Sequence, residues 1–138
     1  MISKETYLKH FNIVWSKLQE IKHLSPSDRP SYITNWPGFF RFLTLMAFQL
    51  FIDEKVDVVI LEVGMGGRLD CTNVIESPLA TGISLVDLEH TEILGSTLQA
   101  ICHEKAGIFK PGCPAFVLSQ KEVVMDTLRS CASEARLC

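Results

Sequence analysis

The stretch LEVGMGGRLDCTN, residues 61–73, decides how the chain is read: an apolar run, VDVVILEV (56–63), stops at an acid and breaks into glycines. A short run rich in Val and Ile is expected of a strand covered on both faces of a parallel sheet. Glu62 is its penultimate residue. Gly64, Gly66 and Gly67 let the backbone take positive φ and approach a ligand closely. The pattern is not the G-x-G-x-x-G dinucleotide fingerprint, because Arg68, Asp70 and Asn73 follow it where a helix start would stand.

Working outward, LATGISLV (79–86) and PAFVLS (114–119) are two further strand candidates. Between them Leu94, Leu98, Ile101 and Cys102 recur at helical spacing up to Gly107, which predicts one helix ending at that glycine. Val123, Val124, Leu128 and Cys131 form the stripe of a last helix. Upstream, Tyr7, Leu8, Phe11, Val14, Trp15, Leu18 and Ile21 mark a first helix, capped by Ser3 with Glu5 in its first turn. FFRFLTLMAFQLFIDEK (39–55) is apolar nearly all round and reads as a helix buried on most sides. HLSPSDRPSYITNWPG (23–38) carries prolines, Ser and Asp without a period and reads as a surface loop. The order of elements predicts an α/β fold: an open parallel sheet with flanking helices and right-handed crossovers.

Composition narrows the function. At 138 residues, 47% hydrophobic and 21% charged, the chain is long enough for one domain with a core. A formal net charge of -3 offers no basic field for phosphate backbones, which argues against nucleic acid and against an anionic membrane surface. Five cysteines without a Cys-x-x-Cys pair point to free thiols in a reducing compartment. With no signal-peptide pattern at Met1, a cytoplasmic location is expected, or a mitochondrial one if the true start lies upstream.

In open α/β sheets, ligands bind beyond the carboxyl ends of the strands. Glu62 ends one apolar run, and His90 follows the next by a few residues. If those strands are neighbours, both side chains converge on one edge. The plain alternative is a strand-end Glu paired with a nearby base such as Arg68.

Three blocks together are more specific: EVGMGGRLDCTNVI (62–75), LEHTEILGSTLQAICHEKAGIFKPGCPAF (88–116) and FFRFLTLMAFQLF (39–51). They closely resemble the folylpolyglutamate synthases of the Mur ligase superfamily, most of all the eukaryotic kind. The resemblance implies part of a Mur-ligase-type P-loop ATPase domain, with residues 1–138 forming a partial central ATPase domain. It implies ATP-dependent ligation of L-glutamate to the γ-carboxylate of a reduced folate, with ATP as co-substrate and magnesium as cofactor. Residue by residue, Glu62 matches the carboxylate that holds magnesium and His90 the ligand of a second magnesium. Lys105 matches a lysine carried as a carbamate. Asp70 and Asn73 match the polar loop that organises the site, with Asp70 and Lys105 as its catalytic pair and Gly64, Gly66 and Gly67 as its turn.

The chain departs from that pattern in places. It contains no G-x-x-x-x-G-K-[ST] loop, and by the resemblance these residues are expected to exclude the family's C-terminal glutamate-ligase domain. Glu89 stands where the family usually has Asp before the metal-binding His, and Asp87 where a small residue is usual. Cys102 and His103 stand where a small residue and an aromatic are common. A sheet without the phosphate-loop strand is expected to leave open edges, which favour weak stability or self-association. On this reading the isolated chain is inactive. Two alternatives stand beside it: a catalytically dead truncated paralogue serving as an interaction module, and a dihydrofolate synthase.

Overall fold

The computed structural model describes residues 2–25, 27–28 and 36–135. Half of the expected loop at 23–38, residues 26 and 29–35, lies outside them. The chain divides into two compact units, Met1–Ile60 and Leu61–Cys138. Among the described residues no helix is long and apolar enough to cross a membrane.

The first unit is a helix pair. Helix α1, Lys4–His23, begins where the Thr6 N–H donates to the Ser3 hydroxyl at 3.0 Å. The capping predicted for Ser3 is therefore present, and it satisfies one of the N–H groups that a helix start leaves without a partner. Helix α2, Phe39–Asp53, ends in a turn in which Lys55 takes a left-handed φ of 50°. Val14, Phe42 and Met46 form the buried contact, with Phe11, Leu18 and Leu43 packed around it. Phe11 stacks on Trp15 at 5.8 Å between centroids and meets Phe42 at 5.2 Å.

Helix α2 is not buried on most sides, as its composition had suggested. Phe39 is 79% exposed and Ile52 71%. The buried positions are Phe42, Thr44 and Met46, of which Phe42 and Met46 pack with Val14 of α1. An all-round apolar sequence shows how much a helix could bury, whereas the number of packed neighbours sets how much it does.

The second unit is α/β. Strands β1 (Thr81–Ile83) and β2 (Ala115–Val117) pair in parallel, with Gly82 opposite Phe116 and Ile83 opposite Val117. Beyond the strands, Gln120 extends the pairing. Its amide oxygen accepts from the Val86 N–H at 2.8 Å, and its amide nitrogen donates to the carbonyls of Ser84 and Leu118. The connection between the strands holds two helices rather than the single one expected: α3, Thr91–Leu94, and α4, Leu98–Ala106. Gly95, at φ 105°, breaks the chain between them. Thr97 then caps α4 by accepting from the Ala100 N–H. Helix α5, Glu122–Glu134, follows β2.

The core lies on one side of the sheet, where Ile83, Ile101, Cys102, Ala106, Val124 and Leu128 meet. The stripe predicted for α5 is present except at Val123, which is 40% exposed while Val124 is 1% exposed. The four described cysteines, Cys71, Cys102, Cys113 and Cys131, are free, as expected.

The run 56–63 is not a strand. Its Val58 is 68% exposed and Ile60 92%. Strand propensity is a preference for a pleated, half-buried surface, and it needs a neighbouring strand to supply the ladder. Among the described residues only β1 and β2 form one.

Side chains alternate across a strand, so the face opposite Ile83 and Val117 carries Phe116, 68% exposed, and Leu118 beyond it is open as well. Parallel sheets normally bury both faces. The isolated chain should therefore self-associate at micromolar concentration in sedimentation velocity. Covering a Phe contributes about 2 kcal/mol, so Phe116→Glu should weaken association at least about tenfold while leaving helix content unchanged. A monomeric wild-type chain with a sharp, cooperative melt would contradict this.

Candidate functional site

Two turns shape the loop at 64–73. The Asp70 N–H donates to the Gly67 carbonyl and the Asn73 N–H to the Asp70 carbonyl. One carboxylate ties them together. Oδ2 of Asp70 accepts the N–H groups of Gly64 and Met65, each at 3.1 Å. Oδ1 accepts the Thr72 N–H at 2.9 Å and the Thr72 hydroxyl at 2.7 Å. Asp suits this role because its short side chain reaches nearby backbone donors with few rotamers to fix. Burial would raise the Asp70 pKa, but the hydroxyl and amide of Thr72 and the amides of Met65 and Gly64 outweigh it and hold the carboxyl below its ordinary value.

The loop is also docked on the C-terminal end of α4. A helix end leaves its last carbonyls without intrahelical donors. Here the Arg68 N–H reaches the Glu104 carbonyl at 2.8 Å. The Asn73 amide donates to the carbonyls of Gly107, at 3.0 Å, and of Arg68, at 3.1 Å. The Arg68 guanidinium grips the Glu104 carboxylate, with Nη2 to Oε1 at 2.8 Å.

The glycines permit this contact. A Cβ on Gly67 would lie 2.8 Å from the Lys105 carbonyl oxygen, and one on Gly107 would run into the Cβ of Arg68. Gly66 has a positive φ of 64° and lies under Leu94. At Gly66 and Gly67 the space left by the missing side chain is thus filled by the protein itself.

Lys105, on α4, donates from Nζ to Glu89 Oε1 at 2.7 Å, and its side chain is only 20% exposed. By hydrogen bond and by charge this ammonium holds the Glu89 carboxyl below the usual range, with a smaller contribution from His90. His90 itself takes a left-handed φ of 50° at the start of α3, and its carbonyl accepts from Ile93 and Leu94. Non-glycine residues seldom adopt that conformation.

Glu62 is exposed and makes no hydrogen bond or ion pair with another described residue. The plain pairing with Arg68 does not form, since Glu104 holds that guanidinium. With no ladder at 56–63, the premise that neighbouring strands bring Glu62 and His90 to one edge is not met. Among the described residues no group of three or more His, Cys, Asp or Glu gathers to hold a metal ion. What the fold does join is Asp70 to Gly64, and Asn73 and Arg68 to the helix end that carries Lys105.

The partnerships of Arg68 with Glu104 and of Lys105 with Glu89 escaped the sequence reading. Arg68 lies 36 residues from Glu104, and Lys105 lies 16 from Glu89, so no local period links either pair. Burial pushes the thiols of Cys102 and Cys131 up, which disfavours their thiolate forms.

Because the Asp70 pKa is lowered on folding, its contribution is complete above the unfolded value, about pH 4, and is lost as pH falls through the folded one. In an acid titration the amide signals of Gly64, Met65 and Thr72 should move together below about pH 4, and Asp70→Asn should abolish that shared step. Independent movement of these amides would show that the carboxylate does not tie the loop.

The chain is 44% identical over 133 residues to the mitochondrial folylpolyglutamate synthase of Bos taurus, a match covering 96% of this chain and 22% of that protein. It is 43% identical over 132 residues to a folylpolyglutamate synthase of Arabidopsis thaliana, covering 96% of this chain and 20% of that one. Among solved structures, the Mycobacterium tuberculosis folylpolyglutamate synthase complexed with ADP and AMPPCP superposes with a TM-score of 0.79 at 33% identity, over 99% of this chain and 30% of that chain. No family model matches the sequence. The chain spans about a fifth of the length of the curated relatives it matches. Over nearly all of its length, this chain is homologous to one segment of the folylpolyglutamate synthases.

Proposed function

We propose that this chain supplies part of the site of an ATP-dependent carboxylate–amine ligase that adds L-glutamate to the γ-carboxylate of a reduced folate, and that it forms part of that enzyme's central ATPase domain. The observation that carries the reading is the docked loop: Asp70 and Asn73 hold a glycine turn against the helix end that bears Lys105. That arrangement lies in a segment 44% identical to a folylpolyglutamate synthase.

In such a ligation, ATP phosphorylates the folate carboxylate, ADP leaves, and the glutamate amine displaces phosphate from the acyl phosphate to form the amide. The chain's own contribution is positional and electrostatic. Glu62 fits a magnesium role because it is an exposed carboxylate without a competing cation; magnesium keeps several waters and shares nucleotide phosphates, so one protein acid suffices. His90 is the proposed ligand of a second magnesium, and magnesium would neutralise charge on the transferring phosphoryl group. Asp70 acts through the loop it ties. Lys105 is here an ammonium neutralised by Glu89. Its conversion to a carbamate would set two anions face to face, so it requires Glu89 to move away. A cytoplasmic place of action accords with the free thiols.

The open apolar face of the sheet favours a second reading, an interaction module without catalysis. Replacing the matching segment of a full-length folylpolyglutamate synthase with this chain separates the two. The chimaera is expected to extend folate with glutamate, Glu62→Gln is expected to lower its kcat by about a hundredfold or more, and the isolated chain is expected to form no product. A chimaera that ligates glutamate equally well with Gln at position 62 would remove Glu62 from the site, and a folded chimaera without activity would favour the module.

A further inference from the structure

We propose that His10 and Asp53 form a proton-dependent latch between α1 and α2, closed only while the His10 ring carries both of its protons. His10 is 1% exposed, the most deeply buried polar side chain described in this helix pair. Its Nδ1 lies 2.7 Å from the Thr6 carbonyl oxygen, one turn back along α1. Its Nε2 lies 3.1 Å from Asp53 Oδ2, at the far end of α2. A carbonyl oxygen can only accept, and so can an ionised carboxylate. Each ring nitrogen must therefore donate, and only the imidazolium has two N–H groups.

The surroundings keep Asp53 an acceptor. The Gln49 amide donates to Oδ1 at 2.9 Å, and Lys9 Nζ stands 3.7 Å from Oδ2. Together with His10 they outweigh the effect of burial and hold the Asp53 carboxyl below its ordinary value. The charged and polar groups facing the ring are thus Asp53, backed by Gln49, from α2, and Lys9 and the Thr6 carbonyl from α1. When the buried ring loses a proton, one nitrogen turns a lone pair toward an oxygen lone pair and one of the two bonds is lost, with the Asp53 side chain still 28% exposed to water. The apolar contact of Val14 with Phe42 and Met46 and the meeting of Phe11 with Phe42 do not change with pH.

The latch gives Asp53→Asn an unusual expected effect. An Asn amide can donate to an unprotonated Nε2 while Nδ1–H stays on Thr6, so this variant suits the neutral ring. The 138-residue chain and its Asp53→Asn variant are melted at about pH 5.5 and about pH 8.5, between which carboxylates and Lys9 keep their charge. The other histidines, the terminus and the thiols are common to both proteins and cancel in the comparison. The wild-type midpoint is expected to fall by about 5 °C relative to the variant on going to the higher pH. Equal pH dependence in the two proteins would overturn the latch. Should association blur the melts, 15N-histidine spectra of the wild type give the second measurement. At about pH 5.5 His10 should show two protected ring N–H groups, unlike exposed His90. A single ring N–H on His10 there would overturn the proposal.

Discussion

The second unit depends on how one helix end is closed. Helix α4 is short, and its last carbonyls would be open if the chain simply ran on. The Asn73 side chain and the Arg68 backbone come from another part of the sequence to satisfy them. This fixes the glycine loop and the helix as one piece, because the same Asn73 amide that reaches Gly107 also reaches Arg68 in the loop. A buried or half-buried carbonyl without a donor costs a substantial part of a small domain's stability. The loop therefore does not need a ligand to hold its shape, and it brings its residues to Lys105 already arranged.

That arrangement gives each polar side chain a distinct role. Both oxygens of Asp70 are engaged by the loop itself, and Oδ2 fixes the positions of Gly64 and Met65. Glu104 neutralises Arg68, and Glu89 neutralises Lys105. Glu62 is left as an exposed carboxylate with no described partner. An acid in that condition can accept a cation without first breaking a protein contact. The ion pairs hold the frame, and Glu62 remains available for exchange.

Features set by local chemistry could be read from the sequence. Ser3 caps α1 because a hydroxyl at that spacing meets the third following N–H, and the stripe of α5 follows from helical periodicity. The strands around Gly82 and Phe116 were legible from their short apolar runs. Features set by distant partners were not. The run 56–63 has strand composition, yet a ladder depends on a neighbour that no local pattern announces. Likewise Gly95 divides a helix whose apolar spacing continues across it, because the residues after it can form a fresh cap at Thr97. The site showed the same division: Asp70 and Asn73 were marked by the resemblance of their loop to a known family, whereas Glu104, Glu89 and Gln120 act across separations that periodicity cannot see.

The open faces follow from the same logic. Residues such as Ile60, Leu79 and Phe116 are apolar in a pattern that anticipates contact, but exposure shows that the described residues do not supply it. Apolar surface of this kind is what a partner or a second copy of the chain could cover. The docked loop differs because its donors and acceptors close on one another within the second unit. Hydrogen-bond satisfaction is local and can be complete in a segment, whereas burial of a sheet requires layers on both faces. Of the two, only the first is achieved here, and it is the polar loop beside Lys105 that is finished while the apolar sheet is not.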